Sequence, residues 1–138
     1  MAVSHKNKTF TSLLACVLGT IGAHRFYLGG ARDRWAWLHL SSIALALLIA
    51  ALAPEANWFY KILPLTLSAL VGFLESLVLG LMSDEKWDAS YNPGSGRQSA
   101  SNWPLALLLV ATLMLGTSTL IATMARLFDL LYTGGAYG

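Results

Sequence analysis

PLALLLVATLMLGTSTLIATMA, residues 104–125, carries no charged side chain in 22 positions. At 1.5 Å per residue, a helix of that length reaches roughly 33 Å, enough to cross the ~30 Å hydrocarbon core of a bilayer. Pro104 sits in its first turn, where a missing N–H costs nothing. Beyond Arg126 the pattern turns amphipathic over Leu127 to Tyr132 and closes on Gly134 and Gly135, a helix-ending pair.

Three further stretches follow the same logic. Phe10 to Leu28 is apolar apart from His24 and Arg25 near its end. Trp35 to Ala53 holds one titratable group, His39, and stops at Pro54. Ile62 to Met82 holds Glu75, with Pro64 in its first turn. Composition points the same way. Apolar residues make up 56% of the chain and charged ones 12%, about half the ~25% of a soluble domain. The reading is an all-α polytopic membrane protein, a bundle of about four transmembrane helices forming one membrane domain over residues 1–138, with spans near 10–28, 35–53, 62–82 and 104–125.

The connections fit. Residues 29–34 form a short basic turn, and 54–61 form another. The one long polar loop, 83–103, is rich in turn residues, including Gly94-Ser95-Gly96, read as a flexible turn. Trp35, Trp37, Trp58, Trp103 and Tyr132 mark the borders, where apolar rings with wet tips settle. Lys6 and Lys8 before an apolar run resemble a signal peptide, and Leu13-Leu14-Ala15-Cys16 resembles a lipoprotein box. The apolar run continues past Cys16, so the segment reads as a retained helix.

In lipid, helices meet through small residues that let backbones approach. Ser68, Gly72, Ser76 and Gly80 form a four-residue stripe on the third span; Gly19, with Ala15, Ala23 and neighbouring Gly22, forms one on the first. Ordinary packing within the chain is the simpler reading. A homo-oligomer interface on a stripe is the sharper one.

Polar groups gather at one side of this topology: His24 and Arg25, then Arg32, Asp33 and Arg34, then His39, with Glu75 ~10 Å inside its helix end. A carboxylate at that depth is costly unless neutral or paired. Arg25 is the favoured partner, with His24 or His39 as alternatives. Either Glu75 is a structural tie between helices, or it is a proton or cation site. Arg126 and Asp129 are spaced for a local pair. Three scattered histidines and one cysteine show no metal-ligand spacing. No nucleophile elbow, zinc-protease motif or phosphate loop occurs. A net charge of +2 without a basic run argues against nucleic acid. No catalysis, cofactor or metal is expected; the expected partners are membrane lipids and other membrane proteins or a second copy.

Leu18-Gly19-x-x-Gly22-x-His24-Arg25-Phe26-Tyr27-Leu28-Gly29, preceded by Lys8 and Leu13-Leu14-Ala15, closely resembles the signature of the TM-two (two-transmembrane) domain family, bacterial type, here with additional helices. The resemblance covers residues 6–30 and, more weakly, 70–93. It implies that the motif joins a first membrane helix to a second as a loop carrying His24, Arg25, Phe26, Tyr27 and Gly29. It implies too that Glu75 matches an acid of the second family segment, with residues 35–61 as an extra span between them. That supports an Arg25–Glu75 pair.

Counted by this topology, five Lys/Arg residues lie on the motif side and four on the other, close to a tie. Animal members are described with the motif in the cytosol, so the motif side is assigned to the cytoplasm of an inner-membrane, multi-pass protein, with both termini outside. The expected role is non-catalytic, an interaction or scaffold protein. The alternatives are a small transporter or channel component using Glu75 and His39, or an anionic-lipid binder using Arg32 and Arg34.

Overall fold

The computed structural model describes residues 4–137, and every regular element among them is helical. Helix α1 (Lys8–Leu18) opens at Asn7, whose side chain accepts from the Phe10 amide at 2.9 Å. A 3₁₀ turn, Gly19–Ile21, follows, and Gly22 then adopts φ +72°. That left-handed conformation is open to glycine at little cost. It stops the helix and starts α2 (Ala23–Gly29) in a new direction.

Four contacts establish the path. Lys8 Nζ reaches the Met82 carbonyl at 2.9 Å, Ser76 Oγ donates to Ser12 O at 2.7 Å, Gly19 lies on Gly72, and Ser68 Oγ donates to Thr20 O at 2.7 Å. Helix α1 therefore runs antiparallel to the helix that carries Ser68–Gly80. Helix α2 then returns: the Tyr27 hydroxyl accepts from the Asn7 amide at 3.2 Å, and the Tyr27 ring packs on Phe10 at 5.3 Å. The expected single span over 10–28 is thus a helical hairpin with both ends on one side. The amino-terminal residues lie beside the motif rather than opposite it.

Helix α3 (Arg34–Leu52) is capped by Asp33, and α4 (Trp58–Gly80) by Asn57. The Asn57 cap starts α4 a turn earlier than expected, leaving Pro64 inside the helix, where Tyr60 O loses its usual donor. The loop expected over 83–103 contains a further helix, α5 (Asp84–Tyr91), with Ser83 as its cap, Asp84 and Glu85 in its first turn and Trp87 fully buried. The Gly94-Ser95-Gly96 stretch is a turn with both glycines at positive φ. Helix α6 (Trp103–Thr133) is capped by Asn102, has Pro104 in its first turn and ends at Gly134 with φ +69°. Arg126 and Asp129 pair within it at 2.6 Å.

Helix α4 is the axis, touching α1, α3 and α6. Helices α3, α4 and α6 are long and apolar enough to cross a membrane; the first segment, Lys8–Ile21, is a shorter apolar helix. Their outer faces are covered with exposed Leu, Val, Ile and Met, such as Leu47, Val78, Leu107 and Met114. Faces this apolar belong in lipid rather than water. This is a membrane protein. Trp35, Trp37 and Trp103 are exposed at one end of the bundle, Trp58 and Tyr132 towards the other.

The small-residue stripe of α4 is used inside the chain. A Cβ added at Gly72 would lie 2.7 Å from Gly19 Cα, and one at Gly80 would meet Ser12 and Leu109. Ser68 and Ser76 supply the two hydroxyl bonds to α1 and its following turn. The stripe is thus covered by the hairpin, and self-association would have to use another face.

Candidate functional site: a polar cluster under the hairpin

The hairpin decides what lies against α4. Gly22 has no room for a side chain: a Cβ there would lie 2.9 Å from His39 Cβ and 3.0 Å from Ala36 O. The close approach seats the start of α2 on α3, while the preceding turn packs on α4. His24 and Arg25, its second and third residues, then face Glu75. Glu75 is five residues from the end of α4, and His39 five residues into α3, both ~7.5 Å along their helices. The three helices place their polar residues at one depth.

Glu75 has nitrogen partners at both oxygens. Arg25 binds Oε1 through Nε at 2.8 Å and through its terminal nitrogen. His24 Nε2 lies 2.5 Å and His39 Nε2 3.0 Å from Oε2. Behind His39, Nδ1 lies 2.7 Å from Ser68 Oγ, which donates to Thr20 O. Arg25 also lies 4.0 Å from Asp33. His24 is fully buried and His39 nearly so, whereas 28% of the Arg25 side chain is exposed. The two imidazoles meet edge to face at 5.7 Å. The favoured partner and both alternatives for Glu75 are present together. The histidines are scattered in sequence, yet His24, His39 and Glu75 bring ligand atoms to within 4.8 Å of one another.

The remaining motif residues form a helix rather than a loop, because Gly22 has already made the turn. Phe26 packs edge-on against Trp37 at 5.5 Å. Tyr27 offers its carbonyl to Lys6 Nζ at 2.8 Å and its ring to the same ammonium at 4.6 Å. Gly29 passes close to Asp33, where a Cβ would come within 3.0 Å. Arg32 and Arg34 are exposed at the rim beside Trp35, and no ion pair to either occurs among the described residues.

A second polar assembly has no signature in the sequence. Lys8, 4% exposed, gives its ammonium to Asp84, to Met82 O and to Ser101 Oγ. Its hydrogen bond holds the Asp84 carboxyl below the usual carboxylate range. Asn92 grips the Lys6 backbone from both sides, accepting from its amide at 2.6 Å and donating to its carbonyl at 3.1 Å; Trp87 Nε1 donates to the same carbonyl. The capping pattern Ser83-Asp84-Glu85 is a signal that could have revealed α5 within the expected loop, whereas no feature of the sequence marks Lys8 as buried.

Residues 4–52 match the family model of the TM2 domain. The match takes in the hairpin and the whole of α3 and stops before α4. The helix at 35–53, read as an extra span, therefore lies within the matched segment, and the weaker likeness at 70–93 lies outside it. Comparison with curated proteins and with solved structures finds no match.

Proposed function

We propose that this membrane protein, with its TM2 domain at the amino-terminal end, is a non-catalytic scaffold of the cytoplasmic (inner) membrane that presents its apolar helix faces to other membrane proteins or to a second copy of itself. One observation carries the reading. Both oxygens of Glu75 are taken by Arg25, His24 and His39, a set suited to locking α2, α3 and α4 into a fixed platform. A buried polar network of this kind favours a single packing arrangement. The faces left over are apolar, above all on α6, where Leu107, Leu113, Met114 and Ile121 point outward.

The topology of the proposal is three crossings, α3, α4 and α6, with the hairpin entering and leaving on one side. Folding back moves Lys6 and Lys8 to the motif side. That side then holds Lys6, Lys8, Arg25, Arg32, Arg34, Lys86 and Arg97, seven against Lys61 and Arg126. Excess Lys and Arg near membrane segments favours the cytoplasmic side, so the hairpin ends, motif and α5 are cytoplasmic and the carboxyl-terminal end of α6 is not.

The experiment is photo-cross-linking in native membranes from a reactive residue replacing Met114, followed by identification of the adducts. A discrete protein adduct supports the scaffold. Lipid adducts alone argue against it. A transport role rests on one observation, the chain Glu75–His39–Ser68–Thr20 leading inward; it predicts ion flux in liposomes that Glu75→Gln abolishes while the fold survives. A lipid role rests on exposed Arg32 and Arg34; it predicts co-purifying anionic lipid that disappears when both are replaced.

A further inference from the structure

We propose that His24, His39 and Glu75 form a binding site for one divalent first-row transition-metal ion, of which Zn²⁺ is the probe. Three ligand atoms converge there from three helices: the Nε2 atoms of both histidines lie 2.5 and 3.0 Å from Glu75 Oε2. A four-coordinate ion with ligands at ~2.0–2.2 Å sets neighbouring donor atoms about 3.3 Å apart, a change of less than an ångström at either contact. All three ligand atoms lie within 4.8 Å of one another, so the two imidazole nitrogens would also have to draw together onto the ion.

Proton accounting at His39 points to a cation. Ser68 Oγ has one hydrogen, and it goes to Thr20 O at 2.7 Å. Towards His39 the hydroxyl is an acceptor, so Nδ1 carries the ring hydrogen. A neutral ring then aims the bare lone pair of Nε2 at a carboxylate oxygen 3.0 Å away. Two lone pairs facing each other need a positive centre between them, which either a metal ion or a proton on Nε2 supplies. The Nδ1–H···Oγ bond is the outer contact that orients a ligating imidazole and fixes its tautomer. Arg25 plays the matching part for Glu75. It holds Oε1 and leaves Oε2 to act as a single-oxygen ligand.

The donor set selects the ion. Two imidazole nitrogens and one carboxylate oxygen suit zinc and its neighbours. Calcium takes six to eight oxygens, and magnesium an octahedral, largely hydrated shell; neither suits this trio. Three protein ligands leave a fourth position for water. The Arg25 guanidinium draws on the charge of the same carboxylate and moderates the affinity. The ion would brace the same three helices as the scaffold reading does, without depending on that reading.

The test uses the full chain in detergent, stripped with chelator and titrated with Zn²⁺ against a chromogenic competitor, together with X-ray absorption at the zinc edge. The expected result is one equivalent of zinc in a shell of two imidazoles plus oxygen at ~2.0–2.2 Å. His39→Gln should lose that site, Ser68→Ala should weaken it about tenfold, and His5→Ala, which removes the remaining histidine, should leave it intact. The proposal is overturned by failure of the wild-type chain to bind zinc stoichiometrically, which would leave a proton as the bridging cation, by binding that survives His39→Gln, or by binding lost in His5→Ala. Where His39→Gln does not fold, the wild-type absorption spectrum decides, because a shell with fewer than two imidazoles is incompatible with the site.

Discussion

The ammonium of Lys8 is buried against the carboxylate of Asp84, 76 residues away in the chain, at the point where α4 has ended and α5 begins. Met82 O and Ser101 Oγ complete its shell. The contact ties the start of the first helix to the end of the fourth, and it is one reason the first segment is a hairpin. Lys8→Met leaves Asp84 without its cation and strips donors from Met82 O and Ser101. Asp84 is partly exposed, so the expected loss is ~2–4 kcal/mol, at or below the range for breaking a buried pair. Thermal unfolding in detergent measures it; a change within 0.5 kcal/mol would mean that Lys8 is not buried in solution.

The hairpin predicts sidedness. In a Cys16→Ala background, single cysteines at Ser4, Ala31 and Gly94 should react with an impermeant thiol reagent from one face of the membrane, and cysteines at Glu55 and Gly134 from the other. A four-span chain would instead place Ser4 with Glu55 and Gly134.

Arg25 and Glu75 should behave as a unit. Glu75→Gln leaves a guanidinium and two imidazoles without their anion, and Arg25→Ala leaves the carboxylate with the histidines alone. Each should cost ~2–4 kcal/mol, the lower part of the range applying to Arg25 because it is partly exposed. The double variant should cost less than the sum by ~1–2 kcal/mol. Strict additivity would show that the pair does not couple.

Gly72→Ala tests the helix crossing. The added methyl would lie 2.7 Å from Gly19 Cα, a backbone atom that cannot rotate away. Separating the helices should cost ~1–3 kcal/mol, as overpacking does. At Gly116 the same methyl meets Phe73 Cβ at 3.2 Å, so Gly116→Ala should cost clearly less. Equal losses would argue that the α1–α4 crossing is looser than a 2.7 Å approach implies.

Acid should loosen the junction of α5 with the amino-terminal segment. Hydrogen bonds from Asn92 and then Ser99 hold Asp88 down from the ordinary 3.8 to about 2, with His5 nearby. A carboxylate depressed on folding stabilises above its unfolded value and loses that contribution as pH falls through the folded one. The window is therefore from about pH 4 down to about pH 2. Fluorescence of Trp87, buried one residue away, should report the change, and Asp88→Asn should flatten that part of the profile. An unchanged profile in Asp88→Asn would assign the acid response to another group.

The site was partly legible in the sequence. Glu75 and Arg25 stand out because ionic groups are rare in long apolar runs and must find each other there. From sequence His24 and His39 are only alternative partners, since no spacing in the chain reveals that two residues fifteen positions apart meet over one carboxylate. Asn7, Asp33, Asn57, Ser83 and Asn102 all cap helices, and the caps at Ser83 and Asn57 decide where α5 and α4 begin. Neither cap stands out in the sequence because the polar residues around it read as loop.

Hydropathy alone determined the medium: runs as long and apolar as 35–53, 62–82 and 104–125 cannot be solvated by water, whatever the tertiary arrangement. It determined as well that Glu75 needs a counter-charge. The direction of the first segment was decided only in three dimensions. Hydropathy sums side chains and is blind to where the backbone turns, so 10–28 reads equally well as a crossing or as two arms. The left-handed dihedral of Gly22, the closeness of Gly19 to Gly72 and the grip of Lys8 on Asp84 together choose the second, and with it the side on which the amino-terminal segment lies.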